Sequence, residues 1–175
     1  MFYSSNLICP YKFHNFDKYS HIHKKIKNKY DSNVFAKIWE EYIARYLKEK
    51  YGEILRNYKI KYANIIGKID IYVFNKEVWE CKWTTQFDVK EVFKTYLPQL
   101  VFYMVATGVN KGYMACANPV LEQIEYFLVE RNSKEFKETY DYILAIINKK
   151  SQEKKEGIGC YFCPIKDCEF NKLFK

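Results

Sequence analysis

Hydrophobic and polar positions alternate most clearly between Gly67 and Trp83. Ile69, Ile71 and Val73 alternate with Lys68, Asp70 and Tyr72, a period of two that predicts a strand. Asn75-Lys76 makes a turn and Val78 to Trp83 is a second β-prone run, so residues 67–82 predict a β-hairpin. Successive strand side chains point to opposite faces. Glu80 and Lys82 therefore share one face beside Asp70, while Trp79, Cys81 and Trp83 share the other and pack inward.

Other elements are placed around this hairpin by their own periods. Residues 31–51 predict an amphipathic helix capped by Asp31 or Ser32, with Val34, Phe35, Ile38, Tyr42, Ile43, Tyr46 and Leu47 at helical spacing and Gly52 at the C-terminal cap. Ile54 to Ile60 predicts a strand. Asp88-x-x-Glu91 is a capping-box pattern opening a helix through Val92, Phe93 and Tyr96, which Pro98 should kink or restart. The second piece runs through Gln99 and Tyr103 and ends near Gly108. Gly112 to Ala117 and Ile124 to Val129 predict strands around an Asn118-Pro119 turn. Ser133 caps a final helix whose inner face is Phe136, Tyr140, Ile143, Leu144 and Ile147. The order helix, strands, helix, strands, helix predicts one α/β domain over residues 1–175, a mixed sheet flanked by helices. Residues 1–30 read as a basic, loosely packed lead-in, and Lys149 to Glu156 as a charged linker.

Composition narrows the class of partner. Nearly half of the 175 residues are hydrophobic, which supports a packed core rather than a disordered chain. A net charge of +8 suits a polyanion, of which nucleic acid is the commonest. Seventeen tyrosines and thirteen phenylalanines exceed what such a core needs, and some could stack on bases, although codon bias accounts for most. There is no apolar run long enough to span a bilayer and no signal-peptide pattern, so a cytoplasmic protein without a membrane partner is expected. Cysteines in a reducing compartment point to metal ligation or buried thiols rather than disulfides.

Two groups of residues carry chemistry. Asp70 and Glu80 converging with Lys82 need compensation, and a hard cation supplies it. Mg²⁺ takes one or two carboxylates, several waters and a substrate phosphate, and a nearby lysine can orient or deprotonate an attacking water. The simpler reading of the same residues is a salt bridge on an ordinary hairpin. The second group is Cys160-x-x-Cys163-x4-Cys168, a metal-site spacing that lacks a fourth ligand. Cys81 and Cys116 sit within strands, so Cys9, followed by Pro10, is the candidate that would tie the chain ends together; His14 is a weaker one. The spacing does not choose between zinc and a 4Fe–4S cluster. His21-x-His23 lies in a lysine-rich stretch and reads more simply as loop.

Gly67-x-x-Asp70, Glu80-x-Lys82 and Gln99-x-x-x-Tyr103, with a lone early cysteine and a late cysteine triplet, resemble the RecB-type nucleases of the PD-(D/E)xK superfamily. Within it, the compact single-domain length resembles the CRISPR-associated exonuclease that is the fourth Cas protein, and the cysteine arrangement is similar to that of the iron–sulfur AddB-type nuclease domains. The resemblance spans Cys9 to Cys168. It implies a restriction-endonuclease-like fold in which an iron–sulfur cluster joins segments 1–30 and 157–175. It also implies that Asp70, Glu80 and the Cys81 carbonyl hold Mg²⁺ or Mn²⁺, that Lys82 positions the attacking water, and that Gln99 and Tyr103 contact DNA. Cys9, Cys160, Cys163 and Cys168 would hold the 4Fe–4S cluster. The implied activity is a DNA exonuclease on single-stranded DNA or ends, serving CRISPR spacer acquisition beside the integrase complex. A viral or mobile-element nuclease and a non-catalytic nucleic-acid-binding protein with a structural four-cysteine site are the alternatives. The family's usual first-helix histidine is absent from residues 34–43, where Glu40 or Glu41 could substitute. The last cysteine gap is also about one residue shorter than the family pattern suggests.

Overall fold

The computed structural model describes residues 2–15, 34–148, 153, 154, 158, 160, 163, 165 and 168–170. His21, His23, Asp31, Ser32 and most of the 149–156 linker lie outside them. Among the described residues the strands are β1 (Phe2–Tyr3), β2 (Leu55–Tyr62), β3 (Ile65–Val73), β4 (Glu77–Trp83), β5 (Lys111–Asn118) and β6 (Gln123–Glu130). The helices are α1 (residues 10–15), α2 (Val34–Tyr51), α3 (Val89–Thr107) and α4 (Lys134–Ile147).

The strands form one mixed sheet in the order β1-β3-β4-β5-β6, with β2 also paired to β3. β3 is the long central strand. β2 runs antiparallel to it along one edge, from Tyr62 opposite Ile65 to Leu55 opposite Tyr72. The other edge is shared: β1 pairs in parallel at Ile65 and Ile66, and β4 pairs antiparallel only from Ile71 to Val73. Residues 67–70 of that edge have no ladder partner, so β3 and β4 splay apart. β4 then pairs in parallel with β5 over seven positions, and α3 supplies the crossover that a parallel pair requires.

Helices cover both faces. α2 lays Trp39, Ile43, Ala44 and Leu47 against Ile71, Val73, Trp79, Ala115 and Ala117, and the Trp39 indole donates to the Ala115 carbonyl at 3.0 Å. On the opposite face α3 and α4 pack Leu100, Val101, Met104, Phe136, Ile143 and Ile146 against Val78, Met114, Cys116 and Val129. Two-sided cover explains why β5 is buried almost throughout rather than alternating.

Four expectations need correction. The buried stripe of α2 is Trp39, Ile43, Ala44 and Leu47, whereas Val34, Phe35, Ile38, Tyr42 and Tyr46 are exposed. The helix is apolar on two sides, and periodicity alone did not choose between them. Pro98 does not divide α3, which is continuous from the Asp88 cap to Gly108, the latter in the left-handed conformation that ends it. A proline removes one backbone donor, and packing of the surrounding Gln99 to Met104 outweighs that loss. Residues 2–15 are not a loose lead-in: Asn6, Leu7 and Phe13 are buried and Leu7 joins the main core. In α4 the deepest residue is Ile146, not Leu144 or Ile147.

Candidate active site

The splay between β3 and β4 is where the sequence-predicted residues meet. Register places Asp70 opposite Glu80, but no backbone ladder joins them. Instead the Cys81 amide donates to Asp70 Oδ2 at 2.8 Å, so a carboxylate takes the role of a strand partner. Glu80 and Lys82 project toward α3, and Lys82 forms an ion pair with Glu80 Oε1. The Lys82 ammonium also lies 4.3 Å from the centre of the Tyr96 ring on α3.

The backbone of the splayed segment is held from α3. Tyr103 donates its hydroxyl to the Lys68 carbonyl at 2.9 Å, and receives Gln99 Nε2 at 2.6 Å and Ser4 Oγ at 3.2 Å. Gly67 is required here by close approach. A Cβ at that position would stand 2.6 Å from the Tyr103 ring and 3.2 Å from Ser4 Oγ. Gln99 and Tyr103 do share one face, as their spacing predicts, but Tyr103 is only 1% exposed and Gln99 7%. The Tyr103 side chain holds β3 at Lys68, and Gln99 holds the Tyr103 hydroxyl.

Electrostatics follow from burial. Glu80 is 2% exposed, and desolvation, followed by the charge of Asp70, raises its pKa to about 8 against the pull of Lys82. Burial likewise raises Asp70, while Lys82 and the Cys81 amide act to lower it. Burial alone would lower Lys82, yet Glu80 and Asp70 outweigh it and hold the side chain as an ammonium. The site thus sets Asp70 and Glu80 against Lys82, and among the described residues Glu80 Oε2 is buried without a hydrogen-bond partner. Gln99 Oε1 is a second buried orphan acceptor.

Glu40 and Glu41, the two acidic candidates on the first helix, have different surroundings. Glu40 is close enough to raise the pKa of Asp70, Glu80 and Cys81, and its Oε1 accepts from Arg56 at 3.2 Å. Glu41 pairs with Arg45 and Arg56 at the surface. Arg56 itself was missed as a site neighbour; its signal would have been a cation on the strand paired to the one carrying Asp70.

Asp70 and Glu80 fit a divalent cation by their chemistry and by the orphaned oxygen. Among the described residues no three His, Cys, Asp or Glu side chains form a ready-made cage. Mg²⁺ does not require one, because two carboxylates, a backbone carbonyl and waters complete its shell.

Cys81 and Cys116 belong to the strands, and none of the six is in a disulfide. The two chain ends do meet: the Tyr11 amide donates to the Glu153 carbonyl at 3.2 Å, and Ile158 packs into the main core. Cys160 and Cys163 are buried and Cys9 half-buried, and Lys12, three residues after Cys9, is buried as well. Burial pushes the Lys12 ammonium down, and Cys163, Cys9 and Cys160 push it up. Four thiols from the two termini fit a thiolate-bound metal group by donor type. They are not drawn together to coordination distance here.

No family model matches the chain, and no curated protein matches it by sequence. Among solved structures it is similar to SSO0001, with a TM-score of 0.66 and 17% identity over 97% of this chain and 86% of that one. Two exonucleases align less closely. One is an alkaline exonuclease from Laribacter hongkongensis, with a TM-score of 0.47, 17% identity and 65% of each chain covered. The other is a phage related exonuclease from Haemophilus somnus 129PT, with a TM-score of 0.47, 14% identity and 74% and 78% covered. The likeness to SSO0001 shows a shared fold across nearly the whole chain.

Proposed function

We propose that the protein is a divalent-metal-dependent DNA exonuclease whose catalytic residues are Asp70, Glu80 and Lys82. The observation that carries this reading is the unpartnered Glu80 Oε2, buried beside Asp70 at the point where the sheet opens. A buried carboxylate left unsatisfied is destabilising unless a ligand completes it. Mg²⁺ or Mn²⁺ held by Asp70, Glu80 and the Cys81 carbonyl would polarise the scissile phosphate and lower the pKa of a bound water.

The chain's own residues do the rest. Asp70 is fixed by the Cys81 amide and cannot swing away. Lys82, held as an ammonium by its carboxylate neighbours, donates to the attacking water or a phosphate oxygen and offsets charge in the transition state. Glu40 approaches from α2 and is the acidic group that takes the place of the missing histidine. Gln99 and Tyr103 position the β3 backbone on which Asp70 sits. The basic surface holds the strand through its phosphates, so binding weakens with salt.

Single-stranded DNA or frayed ends are the substrates that the resemblance favours, and end trimming before CRISPR integration is the setting it suggests. The same resemblance assigns Cys9, Cys160, Cys163 and Cys168 to a 4Fe–4S cluster, with zinc as the competing occupant. The test is cleavage of end-labelled single-stranded and duplex DNA by anaerobically purified protein with Mg²⁺, Mn²⁺ or chelator, beside Asp70→Ala. Metal-dependent cleavage that the variant loses while still binding DNA supports the enzyme. DNA binding without cleavage under any metal makes the protein a binding module.

A further inference from the structure

Lys59, Lys61 and Lys68 are exposed on the β2–β3 hairpin. Register sets Lys59 directly opposite Lys68, and Lys61 opposite Ile66. Along β3, Ile65, Gly67 and Ile69 are buried, and Ile66, Lys68 and Asp70 alternate with them. All three lysines therefore share the outward face of the hairpin with Asp70. Lys68 stands two residues from Asp70, about 7 Å along the strand. Like charges directly opposite each other in an antiparallel pair are destabilising. Arg56, also on β2, is offset by Glu40 and Glu41. Among the described residues none of the three lysines is in an ion pair. Lysine on an edge strand blunts edge-to-edge pairing. That accounts for Lys59 and Lys61 on β2, but not for Lys68, which lies on the inner strand. An anionic ligand that spans these positions offsets the repulsion, and it would do so beside the gap that holds Asp70.

We propose that Lys59, Lys61 and Lys68 form a phosphate-binding tract that holds the DNA backbone beside the metal site. This rests on the nuclease reading of Asp70, Glu80 and Lys82. With the scissile phosphate at Asp70, the phosphates next along the strand lie over Lys68 and Lys59, and then over Lys61. Ammonium groups contact phosphate without reading base identity, so the tract supplies affinity and register but no sequence preference. It gives part of the chain's positive charge a specific place and a specific ligand.

The experiment measures binding of a labelled single-stranded oligonucleotide to the full chain across a salt series, with chelator present so that nothing is cut. Four proteins are compared: wild type, Lys59→Gln/Lys68→Gln, Lys59→Arg/Lys68→Arg, and Lys134→Gln/Lys137→Gln. The last removes the same charge from α4, which packs on α3 across the sheet. Each phosphate contact on a single strand contributes roughly 0.7 to the slope of log K against log salt. The Lys59→Gln/Lys68→Gln slope should therefore be shallower by about 1.4, with binding weaker by about tenfold or more in low salt. The arginine variant should match wild type, and the α4 variant should nearly do so. Thermal unfolding in low salt should show Lys59→Gln/Lys68→Gln at least as stable as wild type, because a repulsion has been removed. A less stable variant overturns the proposal, since the lysines would then be holding the hairpin. Wild-type affinity and slope in that variant also overturn it, leaving Lys59 as an edge guard and the nuclease reading intact. An equal loss in the α4 variant overturns it as well, because overall charge would then be what binds. Wild type that binds DNA yet cuts it under no metal overturns the nuclease reading, and with it the place of the tract beside a cutting site.

Discussion

Replacing Glu80 with glutamine should stabilise the metal-free protein near neutral pH, although it removes a residue at the centre of the proposed chemistry. Glutamine resembles the protonated carboxyl in shape and is never charged. In the folded chain Glu80 has a pKa of about 8, raised by burial and by Asp70 from an ordinary 4.5. Between those values the folded chain holds a proton that the unfolded chain has released, so stability falls as pH rises from 4.5 toward 8. The interval from 4.5 to pH 7, at about 1.4 kcal/mol per pH unit, is worth about 3 kcal/mol. For a chain of this size that is roughly 6–12 °C in melting temperature. The assay is thermal unfolding of metal-free wild type and Glu80→Gln from pH 4.5 to 8.5, read as the difference between the two so that other titrations cancel. The curves should coincide near pH 4.5 and diverge steadily upward. Mg²⁺ should then stabilise wild type at pH 8, by binding the ionised carboxylate, and leave the variant unmoved. Parallel pH profiles, or a variant less stable at pH 7, would refute the reasoning, because Glu80 would then be ionised without strain.

Four further substitutions test the parts that support the site. Gly67→Ala places a methyl 2.6 Å from the Tyr103 ring and should destabilise by about 1–3 kcal/mol in chemical denaturation; an unchanged midpoint would mean that the ring moves aside freely. Tyr103→Phe leaves the Lys68 carbonyl without its donor and should cost about 1–3 kcal/mol. Its cleavage rate should fall with little change in DNA affinity, whereas a loss of affinity alone would restore Tyr103 as a DNA contact. Glu40→Ala should raise the metal concentration needed for half-maximal cleavage, and Glu41→Ala should not, which metal titrations of the two variants will decide.

Local signals carried much of the fold. Asp88 and Ser133 cap their helices as predicted, accepting from Lys90 and Phe136 amides. Gly52 and Gly108 take the positive φ that ends a helix. The hairpin and both later strands were readable for the same reason: each rests on spacing within about ten residues, whereas the mixed sheet was legible only from the order of the elements. What was not readable depends on distant partners. The exposed face of α2 is as apolar as its buried one, so only contact with Trp79 and Ala115 identifies which is inside. β1 is two residues long and gains its place from Ile65 and Ile66. Lys12 reads as one more basic residue in a basic segment, and nothing local signals that it is buried in the fold. Tyr103 was legible as a partner of Gln99 by its spacing of four, but not as a buried clamp on a carbonyl 35 residues earlier.

The position of the site follows from how β3 is shared. Because β1 occupies one end of its edge and β4 the other, four residues between them are left without a ladder. Unpaired backbone inside a sheet must be satisfied by something else. At Lys68 that is the Tyr103 hydroxyl, and on the β4 side it is the Asp70 carboxylate accepting the Cys81 amide. Glu80 and Lys82 of β4 pair beside the same gap, and the charge of Glu40 on α2, which pairs with Arg56 of β2, reaches it. A fully zipped hairpin would have replaced the Asp70–Cys81 bond with a backbone one, and would have left the carboxylates on a closed surface. The break in pairing itself therefore brings Asp70 and Glu80 together, and closing that break should abolish the proposed metal binding even with every proposed ligand retained.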